Sequence, residues 1–209
     1  MATIQELQTC STEADFKTAS DTAKKWFADI LAENWTETSK GDVQVYDKPS
    51  NNYHHFILTK TDSKLTPQAF FEKVTKATVD EIHNYDKGLV SNEVIEKIGD
   101  INVTKQVNSA PWPVAAREFI SVELEYEENG VYYIISRSIN YPKCDTVGKG
   151  YVRGLKFFGM KFTPKEGGCS IERVLEVDPK GSVVSIAVSS SKKEDATRLA
   201  NMKKYFESH

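Results

Sequence analysis

The stretch DPKGS at Asp178–Ser182 separates two kinds of sequence pattern. Before it, apolar and polar residues alternate in one strand-like segment after another, and after it apolar residues recur near helical spacing up to Ser208. Proline and glycine favour a turn here, and Ser182 is suited to cap the helix that follows. The pattern therefore predicts a run of strands that ends in one long terminal helix.

The segments before this turn predict two helices and many strands. One helix is expected at Glu13–Glu33, where apolar residues share a face, and another begins at the cap-like pair Thr66-Pro67. Strand patterns occur at residues 43–47, 53–61, 93–98, 101–108, 118–127, 131–138, 151–163 and 169–177. We expect an α+β domain in which one curved antiparallel sheet wraps around a long C-terminal helix.

Composition limits the functions that the chain can have. Its 209 residues fit one domain, residues 1–209, which would bury roughly 70% of the surface of its unfolded chain. The net charge of -3 lacks the basic excess of nucleic-acid-binding proteins. Three widely spaced cysteines, Cys10, Cys144 and Cys169, and the lack of an apolar leader or spanning segment predict a cytoplasmic protein.

Residue types used in catalysis do not form a recognisable site in the sequence. His54 and His55 are adjacent in a predicted strand and point to opposite faces, while His83 and His209 show no ligand spacing. Serines and cysteines occur in no nucleophile-elbow pattern. We therefore expect no metal site, no cofactor and no enzymatic activity.

Three motifs in a fixed order resemble those of the START domain, the StAR-related lipid-transfer family. They are PWP at Pro111–Pro113 followed by REF at Arg117–Phe119, then GYVRG at Gly150–Gly154, then DPKGS at Asp178–Ser182. The resemblance extends from about residue 26 to residue 205 and is most specific in the second half. It implies a helix-grip fold, in which an internal hydrophobic tunnel lies between the sheet and the C-terminal helix.

The resemblance implies a non-enzymatic protein that holds one lipid in the tunnel and shuttles it between membranes. The lipid would be a phospholipid, fatty acid or sterol. The choice among these stays open, because the chain departs from the patterns of two branches. Ile82 replaces the arginine of the phosphatidylcholine branch, and Thr104 and Glu123 replace the acid and arginine of the sterol branch. The expected partners are a lipid ligand and, transiently, a membrane surface; we expect no nucleic acid and a monomer.

The residues expected to bind the lipid come from the three motifs and from the strand pattern. Trp112 would lie at the tunnel mouth, or would pack the turn onto the sheet. A strand arginine in apolar surroundings needs a partner, either a lipid headgroup or an acid such as Glu118. Arg137 would lie inside the tunnel if its strand face is concave. The complete set is Trp112, Arg117, Arg137, Tyr151, Arg153, Val184, Val188 and Met202.

Two other functions stay open at this point. Helix-grip proteins also include polyketide cyclases and aromatases, which would need a polar cavity containing a group of shifted pKa. A ligand-gated sensor would instead bind a small hydrophobic molecule and present the closed Trp112 loop to a protein partner. Basic residues outnumber acidic ones between Lys180 and His209, which favours contact with anionic lipid or reflects a solvated helix face.

Overall fold

The computed structural model describes residues 7–49, 55–110, 114–181 and 184–209, and the side chains of all of these except 55 and 184–192. The helices are α1 Glu13–Leu31, α2 Pro67–Lys76, α3 Val79–Ile82 and α4 Val184–Ser208, with a short 3-10 helix at Pro142–Cys144. No helix among these residues is long and apolar enough to cross a bilayer.

The strands follow the predicted pattern closely. They are β1 Thr36–Ser39, β2 Gln44–Pro49, β3 His55–Ser63, β4 Leu89–Ile98, β5 Ile101–Asn108, β6 Ala116–Glu128, β7 Val131–Ser138, β8 Tyr151–Arg153, β9 Leu155–Lys165 and β10 Gly168–Asp178. The predicted strand at 53–61 begins outside the described residues, and the predicted cap Ser182 also lies outside them. The short elements β1 and α3 were not predicted.

The strands form one sheet in the order β1-β2-β3-β10-β9-β7-β6-β5-β4. These neighbours pair antiparallel, whereas β8 pairs in parallel with the start of β6. The predicted single strand at 151–163 is therefore two strands that meet at Gly154. A Cβ at Gly154 would lie 2.6 Å from the Phe119 ring, so glycine permits the close approach that separates β8 from β9.

The two faces of the sheet are covered by different helices. On the convex face, α1 packs Trp26 and Phe27 against Phe157 of β9, with ring centroids of Trp26 and Phe157 4.4 Å apart. On the concave face, α2 and α4 pack on β9 and β10 through an apolar cluster. The prediction of an α+β fold with a curved sheet around the C-terminal helix is confirmed.

The C-terminal half of α4 is fixed to the sheet by charged groups. Asp195 forms a buried ion pair with Arg173 of β10 and accepts a hydrogen bond from the Thr59 hydroxyl at 3.2 Å. One turn further along α4, Arg198 pairs with Asp86 at 2.8 Å. The first contact joins α4 to the concave face and the second joins it to the loop between α3 and β4, so together they hold this half of the helix in place.

Candidate functional site

Strand register identifies the side chains that face α4. Phe158 of β9 is opposite Leu175 of β10 and Ser136 of β7, and Ser136 is opposite Glu123 of β6. Residues directly opposite each other share a face, so all four belong to the concave face. The same alternation places further residues on this face: Thr104, Gln106, Phe119, Ser121, Ser138, Lys156, Arg173 and Val177.

Three apolar side chains of the concave face are only partly buried. Phe158, Leu175 and Val177 belong to the central strands β9 and β10, yet each keeps part of its surface accessible. Side chains on central strands beneath a closely packed helix would be buried, as Met160 and Phe162 are. The partial exposure therefore indicates open space beside these apolar side chains on the concave face.

Polar groups border the same space on the β5–β9 side. The Lys156 ammonium donates a hydrogen bond to the side-chain oxygen of Gln106 and lies 5.9 Å from the centroid of the Phe119 ring. Ser121 and Ser136 are fully buried, and neither hydroxyl has a hydrogen-bond partner among the described residues. Buried polar groups are normally satisfied, so these hydroxyls favour a binding site.

Burial changes the proton affinity of the two ionisable groups here. Burial lowers the pKa of Lys156 to about 8, and the nearby Glu123 carboxylate only partly opposes this change. Burial raises the pKa of Glu123, again with partial opposition from Lys156. Each group is thus shifted toward its neutral form, as expected where water is largely excluded.

The structure places Arg117 at the concave side of the sheet, near the beginning of β6. Its guanidinium donates to the carbonyl of Pro179 at 2.9 Å, to that of Lys180 at 3.1 Å and to that of Ala115. These bonds join the segment before β6 to the turn before α4. The geometry gives Arg117 a role in holding the two segments together.

Arg137 lies on the opposite side of the sheet from the open space. Ser136 and Ser138 occupy the concave face of β7, so the intervening Arg137 points toward α1. Its guanidinium carbon is 5.5 Å from the centroid of the Trp26 ring. Arg137 would line a tunnel only if residues 133, 135, 137 and 139 faced the concave side, and this condition is not met.

Arg153 and Tyr151 also lie on the convex side, because β8 pairs in register with Ala116 and Glu118 of β6. Arg153 donates to the Glu118 carboxylate at 2.7 Å and to the Cys144 carbonyl at 2.8 Å. Tyr151 is exposed. The contacts of Arg153 therefore fit the alternative interpretation, in which this arginine is a structural partner for a nearby acid.

Glu118 is fully buried between two cations, Arg153 and Lys105, the second at 3.2 Å. Burial acts to raise the pKa of Glu118, but hydrogen bonds from Arg153 and Lys105 outweigh it and hold the pKa below its usual range. The carboxylate is therefore charged at neutral pH and holds β5, β6 and β8 together on the convex side.

Replacing Arg153 with methionine is expected to lower the free energy of unfolding by about 1–3 kcal/mol, because buried Glu118 then keeps Lys105 alone. Urea unfolding measures this change. Lipid binding is expected to stay unchanged, because Arg153 does not face the open space. The control is Lys165→Met, which removes an exposed pair with Asp62 and should cost less than about 1 kcal/mol. Loss of lipid binding with intact folding would contradict this placement.

The remaining predicted residues belong to α4 or lie outside the described residues. Met202 of α4 is buried in the apolar cluster with Phe70, Met160 and Leu199, so it packs α4 onto the sheet. Trp112 lies outside the described residues, and so do the side chains of Val184 and Val188. Their proposed contacts with lipid stay predictions.

Sequence reasoning missed Lys156, Ser121 and Ser136 as candidates. Lys156 stands in the otherwise apolar run Leu155–Phe158, and a lysine in a strand that is apolar on both faces is a signal that could have been used. The serines carry no such signal. Within the described part of the chain, no group of His, Cys, Asp or Glu residues is arranged to hold a metal ion.

Comparison with known proteins places these features in a family. The START domain model matches residues 6–206. No curated protein matches the chain in sequence. Human StAR-related lipid transfer protein 5 has a similar structure, with a TM-score of 0.83 and 17% identity over 94% of this chain and 99% of that one.

Two further solved structures are similar to this chain to different degrees. Human STARD10 gives a TM-score of 0.78 and 19% identity, covering 97% of this chain and 82% of that chain. The di-domain ARO/CYC protein BexL gives a TM-score of 0.51 and 12% identity, covering 76% of this chain and 51% of that chain. Since the family model spans nearly the whole chain, the protein belongs to the START domain family.

Proposed function

We propose that this START domain binds one lipid, or a similar hydrophobic molecule, non-covalently between the concave face and α4. The observation that carries the proposal is the partial exposure of Phe158, Leu175 and Val177 in the middle of a packed domain. The START family implies binding and transfer of lipids or other hydrophobic ligands. The protein would act in the cytoplasm as a monomer that contacts membrane surfaces transiently.

Carrying a lipid through water requires a shielded chain and a way to open. Each methylene kept from water contributes about 0.8 kcal/mol, so a long acyl chain leaves a membrane slowly unless an apolar space receives it. Transfer from bilayer to protein is then nearly neutral, and opening of the protein limits the rate. The carrier needs no chemical step for this cycle.

The contacts of α4 indicate where the domain would open. Asp195 and Arg198 hold the C-terminal half of α4, whereas the turn before α4 is held through the Arg117 bonds to Pro179 and Lys180. Arg117 also binds the carbonyl of Ala115, next to the PWP segment. Breaking this one set of bonds would release both segments, so we expect opening at this end.

Native mass spectrometry of the purified protein, followed by organic extraction of bound material, tests the function. We expect one co-purified lipid per chain, or uptake of one lipid after incubation with mixed-lipid vesicles. A protein mass that stays that of the bare chain under both conditions would contradict the carrier function. The identity of the extracted molecule gives the headgroup and the number of chains.

A second candidate is an enzyme of the cyclase or aromatase kind, which is favoured by one observation. Lys156 and Glu123 border the open space, and burial shifts the pKa of each toward neutrality, as proton transfer requires. The two functions differ in the fate of the ligand. A carrier returns its lipid with unchanged mass after prolonged incubation, whereas an enzyme converts it.

A further inference from the structure

Lys156 is a buried cation that no carboxylate contacts among the described residues. Among the residues that the structure describes, the hydrogen-bond partner of its ammonium is the neutral amide oxygen of Gln106. Arg173, another buried cation of the concave face, is matched by the carboxylate of Asp195. A buried charge that lacks a counter-charge is unfavourable, so an anion arriving next to Lys156 would gain from its field.

Three polar side chains near this lysine have unused hydrogen-bonding capacity: Ser121, Ser136 and Glu123. The main-chain nitrogen of Lys156 donates to the Ser138 hydroxyl at 2.9 Å, and Ser138 is opposite Ser121 in the sheet. One row further along, Ser136 is opposite Glu123. The hydroxyls of Ser121 and Ser136 lack partners, and within the described chain no hydrogen bond or ion pair reaches the Glu123 carboxyl group.

The spacing allows one small polar group to reach several of these side chains. Opposed residues on neighbouring strands have Cβ atoms about 4.5–5.5 Å apart, and diagonal neighbours are only slightly farther. The polar side chains therefore lie close together on the face that borders the open space, within reach of the long Lys156 side chain; they are Ser121, Ser136 and Glu123. The apolar residues Phe158, Leu175 and Val177 continue from them along the same face.

The charge balance favours an anion over a neutral group. Burial raises the pKa of Glu123 and so favours its uncharged form, whereas Lys156, with a pKa of about 8, stays mainly protonated at pH 7. The Lys156 ammonium is therefore the charged donor of the cluster, and the hydroxyls of Ser121 and Ser136 are further donors. A carboxylate supplies one negative charge and accepts several hydrogen bonds, whereas a phosphate monoester carries about 1.5–2 negative charges.

Building on the proposed function, we propose that the ligand is a long-chain fatty acid whose carboxylate binds Lys156. The hydroxyls of Ser121 and Ser136 donate to the carboxylate oxygens, and the acyl chain lies along Phe158, Leu175 and Val177. Glu123 in its protonated form is a further donor. The polar end of the ligand is thus held inside the domain, next to β5, β6, β7 and β9.

Three ligands of the same chain length test the charge requirement on the unmodified protein: oleate, oleyl alcohol and oleoyl lysophosphatidate, each titrated at pH 7. We expect the Kd of oleate to be at least about tenfold lower than that of the alcohol, as for a hydrogen bond to a charged group. Equal affinity for acid and alcohol would overturn the inference but leave lipid binding intact. Tighter binding of lysophosphatidate would assign the site to phosphate, and failure of all three ligands would count against both this inference and the proposed function.

Substitution assigns the effect to one residue. Lys156→Met is expected to weaken oleate binding by about 10–100-fold and to change oleyl alcohol binding by less than about threefold. The control is Lys161→Met, which removes a lysine from the convex face of the same strand, leaves Glu172 paired with Lys60 at 2.7 Å, and should leave both affinities unchanged. Equal losses for acid and alcohol in Lys156→Met would show a packing role and overturn the assignment.

The pH dependence gives a measurement that needs no variant. The titratable group that acts on Lys156 is Glu123, and the pKa of Lys156 is about 8. Oleate affinity should therefore fall as the pH rises through about 8, because the ammonium loses its charge, while oleyl alcohol affinity stays constant. An oleate affinity that is flat between pH 7 and pH 10 would contradict the role of Lys156.

Discussion

Replacing Asp195 with alanine is expected to lower the free energy of unfolding by about 3–5 kcal/mol, the cost of leaving a buried charge without its partner. Asp195 and Arg173 are both almost completely buried, and Asp195 also accepts a hydrogen bond from Thr59. The variant keeps the Arg173 guanidinium in the interior without its carboxylate. Urea unfolding followed by circular dichroism measures the change.

Two further variants show whether the charge is the cause. Asp29→Ala removes the carboxylate of the exposed pair with Lys25 and should cost less than about 1 kcal/mol. The double variant Arg173→Met with Asp195→Leu removes both charges and should recover much of the lost stability, because apolar replacements of a buried pair are often neutral. A double variant as unstable as Asp195→Ala would refute the electrostatic explanation.

Replacing Leu175 with tryptophan is expected to reduce lipid binding by at least about tenfold while the protein still folds. Leu175 is on the concave face of β10, opposite Phe158, and part of its surface borders the open space. The larger ring would occupy the volume that an acyl chain needs, and each displaced methylene costs the ligand about 0.8 kcal/mol. Vesicle-to-protein transfer of a fluorescent lipid measures the loss.

The matched control for this variant is Ala28→Trp, because Ala28 is an exposed side chain of α1, the helix that covers the convex face. It should leave transfer and thermal stability unchanged. Thermal unfolding of Leu175→Trp distinguishes a filled space from overpacking, which typically costs about 1–3 kcal/mol. Normal transfer by a folded Leu175→Trp protein would show that the lipid lies elsewhere.

Local sequence signals predicted most of the elements. The hairpin between β6 and β7 forms at Asn129 and Gly130, both with positive φ (54° and 78°), as this turn type requires. The N-terminus of α2 is capped by Thr66, whose hydroxyl accepts from the Ala69 nitrogen at 3.2 Å. Both signals act over a few residues, so they can be read without knowing the rest of the fold.

The candidate site was less accessible to sequence reasoning, as Arg137 and Lys156 show. Both are basic residues in apolar strands, yet Arg137 faces Trp26 of α1 and Lys156 faces the open space. Strand periodicity assigns residues to two faces but does not say which face is concave. Many strands here are apolar on both faces, because helices cover the sheet on each side.

Local sequence patterns predict most of the helices and strands in their order, the turn at Asp178–Ser182 and, through three motifs, the family, but not β1, α3 or the division between β8 and β9. Only the folded chain shows which charges meet, such as Arg173 with Asp195, 22 residues along the chain, and which lack an opposite charge among the described residues, such as Lys156, whose partner is the neutral Gln106. The reason is physical. Turns and periodicity are local, whereas the meeting of side chains depends on the curvature of the sheet and on the side where each helix packs.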